Sequence, residues 1–319
     1  MYVAMSKKGK PPSKSLTSKP PIPTCKPSAC KAKTQLLWLH FLSSLYRSVP
    51  LSVLREVALY IPDPPLFVLL TNAYLSCLDL GTGCMSPKIR LQSYKFRTCA
   101  SPSYLVLDST QLFCCGGTGK YHPDHTLPSN QVLTVNISTG KIGQKPNMTI
   151  ARAACGLALY QKAVYVFGGS GKISSSLPSA LTSTESFNLP LNHWNMIGYM
   201  NKPRENFNPC VWRKEIYLCD GYSTDIFTVE TRSFRAISLP LPLRGSALVC
   251  VNGAELVVVT VDSMVVLRYR NEALEVEKKQ CSALHSASQC PPLLWESRIY
   301  SFFRKNVAVL DAKTGEKCS

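Results

Sequence analysis

The sequence is short of acids and of histidine. Nineteen Asp and Glu stand against 36 Lys and Arg, with five His, over 319 residues. The acids are scattered. Of the histidines, His40, His122, His125, His193 and His285, only His122 and His125 are close in sequence. Hydrolytic chemistry needs paired carboxylates or a nucleophile beside its base, and no such pairing shows. No apolar run reaches the roughly 18 residues a membrane span requires, and "TQLLWLHFL" is too short to cross. There are 14 Cys but no Cys-x2-Cys; the spacings Cys25-x4-Cys30, Cys77-x6-Cys84 and Cys281-x8-Cys290 do not make a zinc signature. A phosphate loop is missing too. In "LFCCGGTGKYH" the Gly119-Lys120 pair would need glycine at 114 and a hydroxyl residue at 121, where Cys114 and Tyr121 stand. We therefore expect no cofactor, no metal and no catalysis. The N-terminal "MYVAMSKKGKPPSKS" lacks the apolar core of a signal peptide, so a reducing, cytoplasmic location with free thiols is expected, and the sequons at Asn136 and Asn147 are read as chance.

What is present first is positive charge. The net charge is +17, and residues 1–34 contribute eight Lys, six Pro and no acid. Like charges with little apolar content predict a disordered leader. It would offer weak contact to an anionic surface, with no signature of specific nucleic-acid binding, since interleaved aromatics are absent. Residues 35–50 follow, with Leu36, Leu39, Leu42 and Leu45 at helical spacing, and predict one short amphipathic helix.

The rest of the chain repeats. Six apolar runs align: Leu66 to Leu70, Leu112 to Gly116, Val164 to Gly168, Ile216 to Asp220, Leu256 to Thr260 and Ile299 to Phe303. Their last residues are spaced 46, 52, 52, 40 and 43. Each run has the length and composition of a buried strand. A second apolar stretch precedes each run across a short polar turn, as in "CGLALYQKAVYVFGG". Downstream come a third strand, a turn opened by Asp or Asn (Asp79, Asn136, Asn188, Asp311) and a fourth strand. Four strands per period of 40 to 52 residues describe a β-propeller blade. Cys114 and Cys115, adjacent on a strand, should point to opposite faces and pack as small apolar residues.

In "AVYVFGG" followed by "TESFNLPLNHWNMI" the sequence resembles the kelch family: apolar run, double glycine, variable loop, third strand, tryptophan. Gly116-Gly117 and Gly168-Gly169 match the family's diglycine, and Trp194 its tryptophan; Gly221 keeps one glycine of the pair, while the ends at Leu70, Thr260 and Phe303 keep none. The resemblance covers about 260 residues in rhythm and is sharp over 104–240. It implies an all-β fold, a six-bladed kelch-type propeller over 51–319, with blades near 51–92, 100–147, 153–199, 205–240, 245–280 and 288–318. Val57 to Ile61 then forms the first strand of blade one. A rival reading of "VPLSVLREVALYIP" is similar to the start of an F-box, an adaptor segment for ubiquitin ligases.

Function should lie in loops. Arg152, Arg204 and Arg244 each precede the end of their run by 16 residues, and Arg97 precedes Gly116 by 19. The kelch resemblance implies that such arginines, on inter-blade loops, bind acidic peptide segments of a partner protein; Tyr121 and His122 lie on the blade-two loop. Equally open is that each arginine bonds the backbone carbonyls of a neighbouring blade. The expectation is a non-catalytic protein-binding module, a cytoskeletal scaffold or a substrate adaptor of a ubiquitin ligase. The alternative is a propeller enzyme, oxidase- or epimerase-like, acting on a small sugar-like substrate.

Overall fold

The computed structural model describes residues 57–62, 65–70, 74–79, 89–91, 99–100, 102–119, 127–172, 179–220, 223–238, 247–251, 254–259, 263–270, 273–280, 293–295, 298–303, 306–311 and 314. The basic leader, the predicted helix at 35–50, Arg97, Tyr121, His122, Gly221 and Arg244 lie outside the described residues. Every element described is a β-strand.

The strands form antiparallel sheets that follow one another along the chain. The first holds Val57–Pro62, Pro65–Leu70, Tyr74–Asp79 and Ile89–Arg90. The second holds Ser103–Asp108, Gln111–Cys115, Val132–Asn136 and Ile142–Lys145. The third holds Gly156–Tyr160, Ala163–Phe167, Ser179–Asn188 and His193–Arg204, with the short Ser170–Gly171 added at one end. The fourth holds Cys210–Trp212, Glu215–Cys219, Thr224–Thr228 and Ser233–Ile237. The fifth holds Ala247–Val251, Glu255–Val259, Ser263–Arg270 and Ala273–Gln280. Leu293–Trp295, Arg298–Phe303 and Asn306–Asp311 make a sixth. The six apolar runs of the sequence all fall on the second strand of their sheet. A two-stranded ladder of Cys99–Ala100 with Thr118–Gly119 stands apart from these six.

Strand period decides how the sheets meet. Successive side chains point to opposite faces, so an all-apolar strand buries both. Leu112 and Cys114 join Leu75 and Leu91 between the first and second sheets. Phe113 and Cys115 join Cys155, Val164 and Val166 between the second and third. Tyr165 and Phe167 pack with Ile216, Leu218 and Phe227 between the third and fourth. Tyr217 and Cys219 pack with Leu256, Val258 and Val265 between the fourth and fifth. The vicinal cysteines thus serve two different cores. Each fully buried large side chain stabilises the stack by about 1.5–3 kcal/mol. The first strand of each sheet also runs beside the first strand of the next, from Val57–Pro62 through to Leu293–Trp295.

The turns carry the chemistry their sequences suggest. Asn136 Oδ1 accepts from the backbone N–H groups of Ser138 (3.1 Å) and Thr139 (2.9 Å). Asn188 Oδ1 accepts from Leu191 N–H at 3.0 Å and Asp311 Oδ1 from Thr314 N–H at 2.8 Å. Such side chains satisfy the donors that a tight turn leaves unpaired.

Candidate functional site at the sheet junctions

The junctions between the second, third and fourth sheets share one construction. The chain leaves the second sheet's apolar run at Gly116 and Gly117, with φ of +70° and +91°, a region that side chains rarely adopt. A Cβ on Gly116 would lie 2.1 Å from the carbonyl oxygen of Arg152, so this turn requires glycine. Gly117 N–H donates to that same carbonyl at 2.9 Å. One repeat later the arrangement recurs. Gly168 has φ +55°, a Cβ there would meet the Arg204 carbonyl at 2.3 Å, and Gly169 N–H donates to that carbonyl at 2.8 Å.

Each arginine then reaches the other way with its side chain. Arg152 Nη1 donates to the carbonyls of Gly168 (2.6 Å) and Ser183 (3.0 Å). Its Nη2 donates to Ser183 Oγ (3.1 Å) and pairs with Glu185 Oε1 at 2.7 Å. Glu185 in turn accepts the backbone N–H groups of Thr149 (2.7 Å) and Ile150 (3.1 Å). Arg204 Nη1 pairs with Asp225 Oδ2 at 2.7 Å, its Nη2 donates to Ser223 Oγ at 2.7 Å, and its Nε lies 3.3 Å from Asp220 Oδ2. Backbone carbonyl backward, guanidinium forward: one residue stitches two sheets.

Both guanidiniums are sealed. Arg152 is 0% and Arg204 1% exposed, and Glu185 and Asp225 are buried with them. Arg152 and Arg204, expected on a partner-binding face, thus present no surface of their own: a charge inside a packed seam must be paired and hydrogen-bonded within the chain. The other open reading, contacts to backbone carbonyls across the junction, is what Arg152 makes.

The paired acids were not foreseen. Glu185 sits opposite Val166, and Asp225 sits opposite Leu218. Val166 and Leu218 are each two residues before the end of their apolar run, so the acids occupy one register position in two sheets. The only clue in the sequence is a lone charge within an otherwise strand-like stretch, "LTSTESF" and "STDIFT". That same register position holds Leu133 in the second sheet, opposite Cys114, and Val265 in the fifth, opposite Val258. The arginine position varies as well. Ala153 bridges Ser170, two residues past the run, and Ala100 bridges Thr118, also two past its run. The residue before each bridge is Arg152 in one case and Cys99 in the other. Register therefore sets Cys99, not Arg97, where Arg152 stands.

Trp194 lies on the last strand of the third sheet and is buried. Its indole N–H donates to the Pro146 carbonyl at 2.8 Å, and its ring packs 5.0 Å from Phe187, so it joins the outer strands of the second and third sheets.

The seam between the second and third sheets also buries two thiols. Cys115 Sγ and Cys155 Sγ are 3.8 Å apart, and Ser103 Oγ lies 3.3 Å from Cys155 Sγ. The hydrogen bond from Cys115 lowers the Cys155 thiol, while the same bond and burial push the Cys115 thiol well up. A second polar cluster spans the fourth and fifth sheets. Arg235 Nη2 contacts Glu215 Oε2 (3.0 Å) and Tyr269 Oη (3.2 Å), and Tyr269 Oη is 3.3 Å from Tyr217 Oη. Burial and the Tyr269 hydroxyl push the Tyr217 phenol upward. Arg213 stacks over the Tyr269 ring at 5.0 Å. Among the described residues no three His, Cys, Asp or Glu side chains gather in a group that could hold a metal ion.

No protein-family model matches this chain, and no curated protein matches it either.

Proposed function

We propose that the successive sheets close into a six-bladed kelch-type propeller that works as a non-catalytic protein-interaction module, taking an acidic segment of a partner through the loops between blades. The observation that carries this reading is the order of the seams. Each of the first four sheets shares an apolar cluster with the next, and the first strand of each of the first five lies beside the first strand of its successor. That arrangement suits a ring with its first strands toward the axis. The diglycine and tryptophan act at the junctions, as the kelch resemblance implies.

With Arg152 and Arg204 sealed, the loop contacts fall to other residues. Arg97 and Arg244 are the remaining basic candidates, with Tyr121 and His122. In the fifth sheet Val265 takes the place of the acid that holds Arg204, so the internal ion pair has no counterpart at that position. The charge balance of +17 favours an acidic partner. A cytoplasmic scaffold or ligase adaptor is the setting we favour.

The test uses the full chain and a panel of acidic peptides read by fluorescence anisotropy. Arg97→Glu with Arg244→Glu should weaken the best peptide by about tenfold or more while leaving the melting curve in place. Unchanged affinity in the folded double variant overturns the assignment.

A further inference from the structure

The geometry points to a redox clasp: Cys115 and Cys155 form a reversible disulfide that locks the seam between the second and third sheets. Cys115 ends the strand Gln111–Cys115, and Cys155 immediately precedes the strand Gly156–Tyr160, so the two thiols come from different sheets, 40 residues apart. Their sulfurs stand 3.8 Å apart, both buried in one cluster with Val132 and Met148. A bond needs them to close to about 2 Å, a short movement along the existing line of approach.

The surroundings favour one sulfur as attacker. Ser103 pairs with Cys115 across the second sheet, donates its hydroxyl hydrogen to the Cys155 carbonyl at 2.7 Å, and lies 3.3 Å from Cys155 Sγ. That fixes the Cys155 backbone against the thiol pair. The hydrogen bond from Cys115 favours the Cys155 thiolate, and the Arg152 charge acts in the same direction. Ala154, with φ +50°, forms a bend just before it.

The oxidant is a small peroxide, able to enter on brief opening of the seam. The Cys155 thiolate attacks one peroxide oxygen, the O–O bond breaks, and the leaving oxygen takes a proton to give water, with Cys155 now a sulfenic acid. The Cys115 sulfur then attacks that sulfur, forming the S–S bond; the sulfenic hydroxyl leaves with the Cys115 proton as a second water. Two thiols are oxidised and one peroxide is reduced to two waters.

The closed clasp joins sheets that the Arg152 stitch already bridges, so it should hold the Gly116-Gly117 turn in one position. The experiment treats the reduced full chain with hydrogen peroxide, blocks remaining thiols under denaturing conditions and maps peptides by mass spectrometry. Expected is a Cys115–Cys155 cross-linked pair, lighter by about 2 Da than the two reduced peptides. Dithiothreitol should remove it, and the oxidised protein should melt at a higher temperature. In Cys115→Ala the resolving thiol is gone, so Cys155 should persist as a sulfenic acid and label with dimedone. Full alkylation of both cysteines after peroxide, a cross-link from Cys155 to another cysteine, or no dimedone label in Cys115→Ala would each overturn the clasp.

Discussion

Arg152 makes four hydrogen bonds with its side chain inside a buried seam, and Arg204 is held by Asp225, Ser223 and Asp220. Removing one partner of such a pair leaves a buried charge uncompensated, whereas replacing both by apolar groups can be close to neutral. Arg152→Ala should therefore lower stability by about 3–5 kcal/mol in urea unfolding, and Glu185→Leu by a similar amount. Arg152→Met combined with Glu185→Leu should lose less than the sum of the two single changes, which a double-mutant cycle measures directly. If the losses simply add, the ion pair is not the unit that holds the junction. Gly168→Ala adds a second residue-scale test. A side chain forced to φ +55° costs about 1–3 kcal/mol before the 2.3 Å approach to the Arg204 carbonyl is counted. Gly143, outside the positive-φ region, has one close neighbour, the Thr134 hydroxyl at 2.9 Å, and should tolerate alanine better.

At the scale of elements, the hairpin from Cys210–Trp212 to Glu215–Cys219 turns on two residues, Arg213 and Lys214, with φ of +51° and +67°. This is the geometry of a type I′ turn, which favours Asn-Gly. Replacing Arg213-Lys214 by Asn-Gly should relieve backbone strain and add about 0.5–2 kcal/mol, read as a rise in urea midpoint at constant m. The Arg213 contact with Tyr269 is lost in that variant, so the net gain is set by the difference. This scale was also the most legible in the sequence. The apolar runs lie on second strands because an uninterrupted β-branched and aromatic run suits a strand covered on both faces. The Asx turns at Asn136, Asn188 and Asp311 are local and readable for the same reason. Glu185 and Asp225 were not readable as partners of Arg152 and Arg204, since the pairing depends on register between strands separated by loops of unequal length. The same dependence hid the exchange of Arg152 for Cys99, and of Glu185 for Leu133, in the second sheet. A fixed count of 16 residues finds the arginines, yet it is silent on whether the side chain turns outward or into the seam.

Among the described residues, the second, third and fourth sheets are covered on both faces. Their second strands, Gln111–Cys115, Ala163–Phe167 and Glu215–Cys219, contribute alternate residues to clusters on both sides. Amides there should open only with global unfolding, whereas the outer strands Ile142–Lys145 and Ser233–Ile237, whose side chains are half-buried or exposed, should exchange through local opening. Native-state hydrogen exchange checks this ranking. Equal protection of outer and second strands would mean that the sheets do not stack in the manner described. Charge belongs to this scale too, since eight of the Lys fall in residues 1–34. A chain beginning at residue 35 should elute from a cation exchanger at clearly lower salt, because screening acts on summed surface charge.

The stitch has a direction, and direction matters while a polypeptide is being made. The acceptor for Gly117 N–H is the Arg152 carbonyl, and the acceptor for Gly169 N–H is the Arg204 carbonyl, each supplied by later sequence. Arg204 in turn waits for Ser223 and Asp225. When the second or the third sheet has just emerged from the ribosome, it therefore carries a seam whose last bonds belong to residues still inside the exit tunnel. Those two sheets would be held one step short of closure until their successor appears, and a premature stop inside the third or fourth sheet would strand the one before it.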